Sequence, residues 1–157
     1  MQASTLNELQ KELITLPSKQ LVELCIRLAK YKKDNKELLT YLLFEANDEE
    51  AFISSIKTEV DEQFIAINSS NLYLAKKSIR KILRMINKFV RYSQIKQTDL
   101  ELRIYYCRKL KESGIAIEKS PVLMNLYNNQ LKKIEATLSK LHEDLQYDYK
   151  KELESLM

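Results

Sequence analysis

The amino-acid sequence predicts an all-α fold. Glycine occurs once and proline twice in 157 residues, whereas sheets call on both residues repeatedly in their turns. Helix start signals return along the chain, each a cap residue followed three positions later by an acid: Thr5 with Glu8, Asp34 with Glu37, Asn47 with Glu50, and Thr98 with Glu101. Apolar residues between these signals recur at helical spacing. Hydrophobic residues make up 45% of the chain and charged residues 31%, a globular rather than a disordered balance, in a length that holds one real core.

The expected helices are 5–15, 18–32, 35–46, 48–67, 71–92, 98–113 and 121–156. The first opens at the Thr5/Glu8 pair. The second gathers Leu21, Cys25, Leu28 and Ala29 on one side. A Lys-Lys-Asp-Asn turn precedes the third, and the fourth holds most of an acidic stretch. In the fifth, Leu72, Ala75, Ile79, Ile82, Leu83, Ile86, Phe89 and Val90 share a sector at ~100° per residue. The sixth starts at Thr98 and ends before Gly114, a natural left-handed stop. Ser120-Pro121 starts the last, with Ser as cap and Pro where a missing N–H costs nothing. Short polar loops make successive helices antiparallel. The result is three helical hairpins, 18–46, 48–92 and 98–156, stacked as a right-handed α-solenoid or closed as a bundle. With no linker or low-complexity stretch, 1–157 reads as one domain.

The segment LPSKQLVELCIRLAKYKKDNKELLTYLLFEA (16–46) sets an amphipathic helix, a polar turn and a more apolar helix in series. In this pattern it resembles one two-helix unit of the HEAT/armadillo-like helical-repeat proteins. The resemblance covers that hairpin alone and implies a module that binds other macromolecules.

Net charge is only +4, but its distribution is uneven. Between positions 73 and 111 twelve Lys and Arg face only Asp99 and Glu101, while 45–62 holds seven acids and Lys57. On helix 71–92, Lys77, Arg80, Lys81, Arg84, Lys88 and Arg91 fall opposite the apolar sector, with Tyr73 beside them. A cationic ridge of this kind can follow a phosphate backbone, with Tyr73 stacking on a base. Lys96, Arg108, Lys109 and Lys111 are candidates to widen it. The other readings are an acidic protein partner, or a solvated face partly neutralised by 45–62. Arg103 shares a face with Leu100, Cys107 and Leu110, so it snorkels to the edge, is paired inside with the acids at 59–62 as nearest candidates, or points into a cleft as an anion anchor. Tyr105 and Tyr106 are candidates to line a partner groove.

On the last helix, Met124, Tyr127, Leu131, Ile134, Leu138, Leu141 and Leu145 alternate spacings of three and four, as in a heptad seam. Asp148 interrupts the seam, which resumes at Tyr149, Leu153 and Leu156. An unbroken helix over 121–156 would be ~50 Å long. It would then project, with Leu131, Ile134, Leu138, Leu141 and Leu145 pairing two copies, or lie across its own domain.

Chemistry-bearing motifs are sparse. His142 is the only histidine, Cys25 and Cys107 are separate, and no Gly-rich phosphate loop or metal-ligand spacing occurs. The expectation is a non-enzymatic protein with no metal or cofactor. Both cysteines read as reduced core residues, which fits a cytoplasmic setting. No apolar run reaches the ~20 residues of a membrane span, and the N-terminus lacks a secretory pattern. The functional expectation is a helical adaptor that binds a protein partner through the face around 73–111. The alternative is nucleic-acid binding through the ridge.

Overall fold

The computed structural model describes residues 1–157 and is all helical: α1 (Leu6–Thr15), α2 (Ser18–Tyr31), α3 (Lys33–Thr40), α4 (Glu49–Ile65), α5 (Leu72–Ser93), α6 (Lys96–Glu112), α7 (Pro121–Leu138) and α8 (Glu143–Leu156). A π turn, Tyr41–Glu45, follows α3, and a 3-10 turn, Ile117–Lys119, precedes α7. No strand is present, and no helix is long and apolar enough to cross a membrane. Where the sequence reads as one domain, the chain divides into two compact units, Met1–Phe44 and Glu45–Met157.

Several helix ends form as their side chains dictate. Thr5 and Glu8 close a reciprocal capping box at α1. Ser120 accepts from the Leu123 N–H with Pro121 in the first turn of α7. Gly114 takes φ +70°, and Gln94 ends α5 in the same left-handed region at φ 57°. Other ends differ from expectation. Asp48, one residue past Asn47, caps α4 by accepting from Ala51. The third helix begins at Lys33, without a side-chain cap at Asp34. Thr98 lies inside α6, where its hydroxyl donates to Glu49 across to α4.

Unit 1 contains α1, α2 and α3. The expected hairpin forms between α2 and α3, which pack along each other. Tyr41 is the one buried side chain of this unit. Cys25 is exposed rather than in a core, on a shallow apolar cleft that it lines with Leu28 of α2 and Leu38 of α3.

Unit 2 is organised around α6, which packs against α4, α5, α7 and α8. Leu100, Leu102, Ile104, Tyr106, Cys107 and Leu110 are buried around several sides of this one helix. A helix enclosed in this way loses its solvated face, so its charged and polar groups must find partners inside the fold. Burial raises the Cys107 thiol to about 12, well above its ordinary range. Tyr106 satisfies its buried hydroxyl by donating to the Ile79 carbonyl, 3.1 Å away.

The long C-terminal helix does not form. α7 ends at Leu138, residues 139–142 turn the chain, and α8 packs back against α6 and α7. The N-terminus of α8 has its own start: His142 accepts from the Asp144 N–H, with Glu143 and Asp144 in the first turn, where the helix dipole favours acids. Reversal also removes Asp148 from an apolar seam and lets Leu153 and Leu156 become buried.

Candidate polyanion interface

The ridge on α5 is positioned by a helix with two firm ends and one deeply buried face. Asn71 accepts from the Leu74 N–H at 3.1 Å, and Gln94 closes the other end by donating to the Val90 carbonyl. Ala75, Ile79, Ile82 and Ile86 are completely buried. Their burial fixes the rotation of the helix about its axis. The opposite sector is therefore held outward.

On that sector Lys77, Arg80, Lys81, Arg84 and Arg91 are exposed. None of these five forms an ion pair with a carboxylate. They span about 20 Å of axis, the first four within two turns and Arg91 two turns beyond Arg84. Lys77 lies 4.7 Å from the centre of the exposed Tyr73 ring, a cation–π distance. Lys88 is half-buried, with its ammonium 5.1 Å from the Phe89 ring centre, and so belongs to the edge of the ridge.

No acid of 45–62 pairs with these five cations, and several of those acids are engaged elsewhere. Asp61 accepts from Tyr105 at 2.7 Å and pairs with Lys109 at 2.8 Å. Burial acts to raise the Asp61 pKa, but the donors Lys109 and Tyr105 outweigh it and leave the carboxyl below its ordinary value. Lys109 is raised in turn, first by that hydrogen bond. Glu49 accepts from both Ser93 and Thr98, tying the ends of α5 and α6 to α4. Glu59 accepts from Gln63 one turn along its own helix.

The candidates on α6 do not widen the ridge. Arg108 pairs with Glu152 at 2.7 Å, Lys109 with Asp61, and Lys111 donates to the Ser155 carbonyl. These contacts hold α6 to α8 and α4. Lys96 is exposed at the start of α6.

Arg103 is buried, at 6% exposure, and is paired inside. Its partner is not one of the acids at 59–62. It donates to Asp99 one turn earlier at 2.6 Å, to Asn87 on α5 at 2.9 Å and to Gln130 on α7 at 2.7 Å. Asp99 also accepts from Thr137 of α7 at 3.3 Å. The guanidinium thus joins three helices through its planar fork. The sequence marks Arg103 as an anomaly but leaves Asn87 and Gln130 looking like ordinary polar positions.

Tyr105 and Tyr106 do not line one groove. Tyr106 is enclosed, and Tyr105 is turned to Asp61. The heptad residues are engaged within the chain: Ile134 and Leu138 are buried, and Leu131, Leu141 and Leu145 are half-buried. His142 caps α8, exposed beside Asp144. No protein-family model matches this chain, and neither a curated protein nor a solved structure gives a significant match.

Proposed function

We propose that this protein is a non-enzymatic helical binding module that holds the phosphate backbone of a nucleic acid along α5. The observation that carries this reading is the row of five exposed cations with no carboxylate partner. On the neighbouring α6, by contrast, Arg103, Arg108 and Lys109 are each neutralised by a carboxylate of the fold. An unpaired cationic row repels itself, and a linear polyanion relieves that repulsion while releasing its own counterions. The helical-repeat resemblance of 16–46 agrees with the broader part of the reading, a module that binds macromolecules.

The test is fluorescence anisotropy with mixed-sequence single- and double-stranded oligonucleotides at several salt concentrations. Engagement of all five cations gives a log–log salt slope of roughly −3.5 to −4.5. Changing Arg80, Lys81 and Arg84 to Glu should abolish binding while helical circular dichroism stays constant, because all three are exposed. Absence of binding at low salt, or equal binding by the charge-reversed variant, overturns the proposal.

A further inference from the structure

The first 44 residues carry a surplus of apolar surface. Of the twenty exposed large apolar side chains, thirteen lie there, including Leu6 at 85% exposure and Phe44 at 71%. A unit this small needs outside support to hold its fold: a disulfide, a metal or a second chain. Its one cysteine is unpaired.

The surplus takes two complementary shapes. α1 is an amphipathic helix with no buried residue, on which Leu6, Leu9 and Leu13 form a stripe beside Ile14. No element packs extensively against it. Between α2 and α3 lies an apolar groove of about 640 Å³, lined by Ile26, Ala29, Leu39, Leu43 and Phe44. Lys30, Lys33 and Lys36 stand along its rim. On α1 the Glu8 carboxylate is held in its own capping box, which leaves Glu12, next to the leucine stripe by helical spacing, to face the rim, where Lys33 is already paired with Glu37 at 3.5 Å and Lys30 and Lys36 are not. The free helix thus has the shape and the charge that the groove lacks.

The joint between them restrains closure within one chain. Leu16 and Pro17 are both extended, with ψ 142° and 149°, and the proline ring removes rotation at its φ. We infer that α1 of one copy docks into the α2/α3 groove of a second copy, reciprocally, forming a dimer with exchanged N-terminal helices. Reciprocal exchange fills one groove with one helix on each side and leaves neither open, so assembly stops at two. Docking covers the four apolar side chains of the stripe and the five of the groove on each copy, on the order of 600 Å² per copy, the lower end of a stable interface. This surface lies outside α5, so the inference stands independently of the nucleic-acid reading.

The test is sedimentation equilibrium on the full chain over a wide concentration range. The expected mass is that of two chains. Leu9→Asp with Leu13→Asp should weaken the dimer by at least ~100-fold; both side chains are exposed, so loss of the fold does not confuse the result. Glu12→Lys should weaken it less, and adding Lys33→Glu and Lys36→Glu to Glu12→Lys should restore it. A chain that stays monomeric at every concentration overturns the inference. So does a dimer indifferent to the leucine changes, since that dimer uses another face.

Discussion

At the scale of single residues, the decisive feature is how each charge is used. Arg103 and Arg84 are both arginines on helices rich in cations, yet one is enclosed by Asp99, Asn87 and Gln130 and the other faces outward unpaired. The first is part of the fold and the second stands in solvent. Removing the carboxylate from an enclosed guanidinium leaves a charge without compensation, which typically costs more than a lost surface pair. Asp99→Ala should therefore lower the unfolding free energy by about 3 kcal/mol, measured from urea midpoints. A loss below ~1 kcal/mol would mean that water reaches the guanidinium and replaces the carboxylate. The anomaly at Arg103 was legible from its apolar neighbours. Its partners were not, because a neutral amide such as Gln130 carries no signal in sequence that it faces inward.

Among the helices, the outcome depended on whether periodicity alone defines an element. For α5 it does: one face is mostly apolar and the other mostly cationic, so spacing gives the buried sector and the ridge together. For the last segment it does not. Leu138, Leu141 and Leu145 keep spacings of three and four straight through the turn at 139–142, so the same pattern serves one long helix or two antiparallel ones. What distinguishes them is tertiary. The Tyr127 hydroxyl donates to the Leu156 carbonyl at 2.8 Å, linking the start of α7 to the end of α8, and burial raises the tyrosine to about 12. Tyr127→Phe should leave that buried carbonyl unsatisfied and cost about 1 kcal/mol. The loss should appear as faster amide hydrogen exchange in the last turn of α8, with the amides of α5 unchanged. Equal exchange in both proteins would show that packing of Leu153 and Leu156 alone secures the hairpin.

For the whole molecule, the division of burial separates two behaviours. Tyr41 is the only buried apolar residue before Glu45, and every other one belongs to unit 2. No Gly/Pro-rich linker marks that boundary, and the chain passes it through a π turn rather than a loop; a sequence that keeps its helical pattern across a boundary conceals it. The central place of α6 was similarly hidden, because Arg108 and Lys109 read as extensions of the cationic ridge, whereas α8 and α4 neutralise them. Cooperative unfolding follows from shared burial, so residues 45–157 should unfold as one unit. Residues 1–44, whose helices bury almost nothing of their own, should gain their order from association. Thermal denaturation of the full chain, followed by circular dichroism, should then show an early step that moves to lower temperature on dilution and a later step that does not. A fragment of 45–157 should reproduce the later midpoint to within ~2 °C and should still bind oligonucleotides, because all of α5 lies inside it. A single concentration-independent transition in the full chain, above that of the fragment, would instead mean that the first 44 residues are stabilised within their own chain and that their apolar faces have no second copy to meet.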